Sequence, residues 1–201
     1  MKLLFISLGC DKNLVDSEEM LGMLAADGHQ IVDDEDEAEV IIVNTCCFIG
    51  DAKEESVNTI LEMAEKKKAG TCKVLIVTGC MAQRYKKEIS EEIPEVDAIL
   101  GTTSYGDIIK AVKEAEAGRH FEEYKSIDFL PNISGKRMLT TGGHFAYLKI
   151  AEGCDKHCTY CIIPKLRGSY RSVPMEQLVK EAQSLAEQGV KELILVAQET
   201  T

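Results

Sequence analysis

Four short apolar runs in the first half of the chain are each followed by a stretch of helical periodicity, and this alternation narrows the fold more than any other feature. The runs are Lys2–Leu8, Val40–Val43, Val74–Val77 and Val96–Leu100. Nearly continuous apolar strands belong to parallel sheets, which are covered on both faces. The first helix is expected to start at a cap from Asn13 or Asp16 and to close at Gly28, with Leu14, Met20, Leu21 and Leu24 inward. The later helices are expected over Lys53–Ala69, with Val57, Ile60, Leu61 and Ala64 on one face, then Ala82–Glu91 and Ser104–Ala117. Strands and helices alternating at these lengths predict an α/β domain with a doubly wound parallel sheet over residues 1–118.

Three cysteines sit at equivalent places in that pattern. Cys10, Cys46 and Cys80 each follow an apolar run by two or three residues. In an open α/β sheet, the residues just past the carboxyl ends of the strands line the binding crevice. The three thiols are therefore expected on one rim. One cysteine so placed is more often a small buried residue; the repetition favours a three-thiolate metal site. Cys47 and Cys72 lack this placement and read as ordinary thiols, with an exchange of roles between Cys46 and Cys47 left open.

Periodicity is lost over residues 119–144, where Pro131-Asn132, Ser134-Gly135 and Gly142-Gly143 mark a linker or strap. A second unit, 145–201, opens with an apolar strand at Phe145–Ile150. A helix then begins near Pro174 and Met175, with Leu178, Val179, Ala182 and Leu185 on one face, and stops at Gly189. A last strand covers Glu192–Val196. This is one βαβ unit, with a cysteine loop over 153–168 at the carboxyl end of its first strand. (β/α) barrels place their active sites at that end. One such unit closes no barrel and leaves its sheet edge bare, so the chain is expected to be the N-terminal part of a longer protein.

That loop carries Cys154, Cys158 and Cys161 at CxxxCxxC spacing. A 4Fe–4S cluster normally takes four thiolates. Three from one loop leave an iron open to bind a small molecule and pass it an electron. Zinc remains an alternative, because His157 could complete a Cys3His set. Adjacency of His157 and Cys158 makes joint ligation of one tetrahedral ion awkward, and a disulfide would leave one thiol over.

Charge and length exclude other classes. A formal net charge of −11 argues against general nucleic-acid binding. Locally, Lys156 to Met175 contains no acid but holds Lys156, Lys165, Arg167 and Arg171. That stretch could receive an anion or could be a solvated loop. Asp33 to Glu39 reads as an exposed acidic turn or short helix. Apolar residues from Leu3 to Leu8 are too few for a signal core, and no run reaches the roughly 18 residues of a membrane span. Eight cysteines with no export signal point to a reducing, cytoplasmic setting.

CxxxCxxC with Tyr160 before its last cysteine resembles the signature of radical S-adenosylmethionine enzymes. The segments from Gly9-Cys10-Asp11-Lys12-Asn13 to Glu18, Asn44-Thr45-Cys46, and Thr78-Gly79-Cys80-Met81-Ala82-Gln83-Arg84-Tyr85 resemble the N-terminal cluster domain of the methylthiotransferases within that superfamily. Asp11-Lys12-Asn13, Ala146 to Cys154 and the ending Ala197-Gln198-Glu199-Thr200-Thr201 are more similar to the branch that modifies an aspartate of a small-subunit ribosomal protein than to the tRNA-modifying branch. Cys47 departs from that branch, where glycine is common.

The resemblance implies two 4Fe–4S clusters, on Cys154, Cys158 and Cys161 and on Cys10, Cys46 and Cys80. It implies S-adenosylmethionine as cofactor, with Tyr160 near its adenine, and a 5′-deoxyadenosyl radical that takes hydrogen from the aspartate β-carbon before sulfur and methyl are added. It implies an electron donor such as flavodoxin or ferredoxin, and leaves the sulfur donor unnamed. A tRNA methylthiotransferase is the alternative in the same family. A non-catalytic iron–sulfur or zinc module is the alternative of another class.

Overall fold

The computed structural model describes residues 1–131 and 137–200, so the turn signals at Asn132 and Ser134-Gly135, and the final Thr201, lie outside the described residues. Six parallel strands form the main sheet: β1 (Lys2–Ser7), β2 (Gln30–Ile31), β3 (Val40–Thr45), β4 (Val74–Gly79), β5 (Ala98–Leu100) and β6 (Phe121–Glu123). Their order is β2-β1-β3-β4-β5-β6. Leu3 pairs with Val40 and Ile41 with Leu75, so the central strands run in step. Every residue of β3 and β4 is buried, as the unbroken apolar runs require.

Helices cover both faces. Against one face, α1 (Asp11–Ala26) and α5 (Ile108–Glu116) set Met20, Leu24, Ile108 and Val112 on Leu3, Ile42 and Ile76. Against the other, α2 (Gly50–Lys68) sets Ile60 and Met63 on Ile41, Val43 and Leu75. Fully burying each such side chain contributes about 1.5–3 kcal/mol. The chain reverses direction across the sheet between β1 and β3, which opens a crevice at their carboxyl ends.

Several expectations are corrected. Neither Asn13 nor Asp16 caps α1; the helix begins at Asp11 after Cys10, and both side chains are buried in bonds to other elements. The helix expected over 82–91 is two pieces, α3 (Cys80–Arg84) and α4 (Lys86–Glu92), broken at Tyr85. Leu61 of α2 is 46% exposed, and Met63 takes the inward place. A strand, β6, lies in the stretch that lost periodicity; three residues are too few to show a period.

The second unit starts with β7 (Phe145–Lys149) and β8 (Ala151–Glu152). It continues through α6 (Ile163–Arg167), β9 (Arg171–Ser172) and α7 (Met175–Glu187) to β10 (Glu192–Val196). β7 and β10 pair in parallel, Phe145 with Glu192, which completes the βαβ unit. β8 and β9 pair antiparallel and pinch the base of the cysteine loop. Val179 of α7 is 49% exposed, and only Leu185 of its expected face is fully buried. Among the described residues, no helix is long and apolar enough to cross a membrane.

Candidate cluster-binding site

The carboxyl ends of β1, β3 and β4 are tied together by buried polar side chains. Asn13 donates its amide to Leu8 O (3.0 Å) and Thr45 O (2.9 Å), while Asn44 donates to Asn13 O and Ser17 Oγ. Thr45 Oγ1 donates to Thr78 O and accepts from the Met81 amide. Ser56 on α2 bonds both the Cys46 amide (3.0 Å) and its carbonyl (2.8 Å). Gly79 has φ of 92°, and a Cβ there would lie 2.5 Å from Thr45 O. Only glycine lets the chain turn at that spot and release Cys80 onto the rim.

Cys10, Cys46 and Cys80 stand just past the carboxyl ends of β1, β3 and β4. Cys46 Sγ lies against the Gly9 backbone, immediately before Cys10. Burial pushes the Cys80 thiol up, the Arg167 guanidinium beside it works the other way, and Cys46 and Cys10 both act on it. Cys47 is buried next to this group; burial first, then Cys80, pushes its thiol up to about 11. Cys72 is remote and gives its S–H to Val74 O at 3.0 Å.

The second cysteine loop leaves β8 at Gly153, where a Cβ would lie 2.5 Å from Gly168 O. The Cys154 amide donates to Gly168 O (3.1 Å), the Cys161 amide to Cys158 O (3.0 Å) and the Tyr170 amide to Asp155 (2.9 Å). Cys158 is exposed, Cys154 and Cys161 are partly so, and Tyr160 is 90% exposed. All eight cysteines are free thiols. Free thiols, three past the ends of β1, β3 and β4 and three in the loop after β8, are the donor type that a 4Fe–4S cluster takes. Among the described residues, no three Cys, His, Asp or Glu close on a single ion.

The two loops are neighbours. α6 begins two residues after Cys161 and packs on α3, which begins at Cys80, and Thr102 Oγ1 donates to Leu166 O at 2.8 Å. Between them lies a buried ionic group that sequence reasoning missed. Asp16 on α1 pairs with Lys149 of β7 and with Arg167 of α6 (2.9 Å); Glu152 of β8 pairs with Lys149 (2.8 Å) and Arg167 (3.3 Å). Arg167 also bonds Asn13 Oδ1. Arg137, in the connecting stretch, pairs with Glu18 (3.0 Å) and Glu181 (2.6 Å) and donates to Tyr147 O. The one available signal was acids at inward helical positions of α1. The basic stretch after Lys156 is neither a free anion receptor nor a solvated loop at Arg167. Lys156 pairs with Glu199, and Arg171 donates to Ser169 O and Arg167 O.

Glu19 adjoins this group on a cleft of about 940 Å³ between α1 and α7. Burial pushes its carboxyl up to about 7, with Lys149 opposing, and Oε2 has no partner among the described residues. The folded protein therefore binds a proton that the unfolded chain releases near 4.5. Stability falls as pH rises from about 4.5 to about 7 and stays lower above it. Glu19→Gln is expected to remove that fall and to gain about 2–3 kcal/mol above neutral pH in urea melts.

Residues 2–101 match the uncharacterized protein family UPF0004, and residues 148–201 match the radical SAM superfamily. Ribosomal protein uS12 methylthiotransferase RimO of Lachnoclostridium phytofermentans is 65% identical over 201 residues, which are 100% of this chain and 46% of that protein. RimO of Clostridioides difficile is 54% identical, over 100% of this chain and 45% of that protein. The cobalamin-dependent S-adenosylmethionine radical enzyme OxsB, solved with aqua-cobalamin bound, shares the fold, with a TM-score of 0.57 and 16% identity. The match covers 98% of this chain and 34% of OxsB. Superfamily membership implies a 4Fe–4S cluster and S-adenosylmethionine. The chain spans about half the length of the curated relatives it matches, and it belongs to the radical S-adenosylmethionine methylthiotransferase family.

Proposed function

We propose that the full-length protein inserts sulfur and a methyl group at the β-carbon of an aspartate in ribosomal protein uS12. The observation that carries this reading is the pair of adjacent three-cysteine rims, on a chain similar throughout to proteins named for that reaction. Cys154, Cys158 and Cys161 hold one 4Fe–4S cluster and leave one iron for S-adenosylmethionine. Cys10, Cys46 and Cys80 hold a second on the neighbouring rim. Bound there, the two clusters supply reductive cleavage of S-adenosylmethionine at one site and sulfur at the other. Tyr160, whose ring is 90% exposed, would stand near the adenine of bound S-adenosylmethionine. Ser56, Asn13 and Thr45 keep the N-terminal thiols in place without being ligands. The protein works in the cytoplasm, with a donor such as flavodoxin or ferredoxin supplying electrons.

The test uses anaerobically reconstituted full-length protein with uS12. Iron should reach about eight per chain, at four per cluster, and the aspartate-bearing peptide should gain a methylthio group by mass spectrometry. About four irons would leave Cys10, Cys46 and Cys80 as structural thiols. Loss of a methylthio nucleoside from tRNA in a deletion strain, with uS12 unaltered, would move the substrate to tRNA.

A further inference from the structure

Three buried cations cross between the two units: Arg137, Lys149 and Arg167. Arg137 and Lys149 bond carboxylates and, for Arg137, a carbonyl. Arg167 differs, because its guanidinium stands on the first cysteine rim: it bonds Asn13, whose amide bonds Leu8 O and Thr45 O, the residue before Cys46. Its Nη1 is fixed by Asp16 (2.9 Å) and Glu152 (3.3 Å), and its Nη2 by Asn13. Glu152 in turn accepts from Gln198 Nε2 at 3.2 Å, and Gln198 Oε1 accepts from the Gly153 amide at 3.0 Å. One continuous set of bonds thus runs from Leu8 O and Thr45 O, on the first rim, through Asn13, Arg167, Glu152 and Gln198 to the residue before Cys154, on the second.

We propose that Arg167 is a positioning residue shared by both cysteine sites, and that its buried guanidinium on the first rim raises the reduction potential of the cluster held by Cys10, Cys46 and Cys80. The inference rests on the two-cluster reading given above. A cluster gains negative charge on reduction, and hydrogen bonds and positive charge at a ligating sulfur stabilise that state. A planar guanidinium bonds Asp16, Asn13 and Glu152 at once; an ammonium on a shorter stem cannot serve all three. Burial removes the water that would otherwise screen the charge.

The experiment is a redox titration of the full-length holoprotein followed by electron paramagnetic resonance, with iron counted for each variant. The other cluster is recognised by its spectral change when S-adenosylmethionine is added. Arg167→Met should keep its iron and lower the midpoint of the N-terminal cluster alone. Arg137→Met breaks a comparable buried pair that touches no sulfur, so it should lower stability and leave both midpoints in place. If Arg167→Met does not fold, Arg167→Lys decides, with a smaller shift of the same sign. An unmoved midpoint with about eight irons present, or an equal shift in Arg137→Met, overturns the role of Arg167 alone. About four irons in the unaltered protein removes the two-cluster reading, and this inference with it.

Discussion

Replacing Cys158 with alanine in the full-length protein is expected to abolish reductive cleavage of S-adenosylmethionine, whereas Cys46→Ala should leave cleavage largely intact and stop sulfur insertion. The two thiols stand on separate supports. Cys158 lies mid-loop between Cys154, tied to Gly168 O, and Cys161, tied to Cys158 O. Removing it leaves two thiols on a loop that offers no fourth cysteine to replace it. Cys46 is held by Ser56 and by the end of β3, and its loss leaves the second loop's bonds unaltered. Cleavage is read as 5′-deoxyadenosine, insertion as modified peptide. Cys47 adds a condition, since it is buried beside Cys80 and Cys46. Full methylthiolation by Cys46→Ala together with Cys47→Ala would sink the assignment of the second cluster.

The largest stability loss is expected at Asp16. Its carboxylate serves two buried cations, Lys149 and Arg167, and Glu152 is the one other carboxylate that pairs with both among the described residues. Beside those cations, Glu152 is itself held down to about 2 in spite of its burial. Asp16→Ala leaves two positive charges against one negative charge among side chains that are all buried. Breaking a buried pair by removing one partner costs about 3–5 kcal/mol. Urea unfolding of the variant should show that loss, and a cycle with Lys149→Met should show coupling, because the second substitution removes the charge stranded by the first. A loss under about 1 kcal/mol, typical of an exposed pair, would mean that water reaches the group.

How far these features could be read in advance depended on what kind of signal carried each. β1, β3 and β4 announce themselves because a strand covered on both faces must be apolar throughout. The cysteines that follow them inherit their position from the strands, so one rim is legible in the sequence. Asn13 and Asp16 looked like helix caps because the short polar side chains that cap helices also suit buried polar contacts. What distinguishes the two is a partner 133 or 151 residues away, at Lys149 and Arg167, and local pattern carries no such information. Arg167 looked like part of a basic loop for the same reason. The break at Tyr85 was also hidden. Its ring lies under Lys53, 4.6 Å from the centroid, a contact from another helix.

The strap residue Arg137 bears on how such proteins can be recombined. By chain order it belongs to neither unit, yet it joins Glu18 of the first to Glu181 of the second. A chimera that exchanged residues 1–118 for the same stretch of another protein would inherit a foreign α1 facing Arg137, Lys149 and Arg167. Unless the donor brought acids at positions 16 and 18, three cations would be left facing a neutral wall. The two halves are therefore interchangeable as folds but not as charge distributions, and an exchange between relatives has to carry both sides of the seam together.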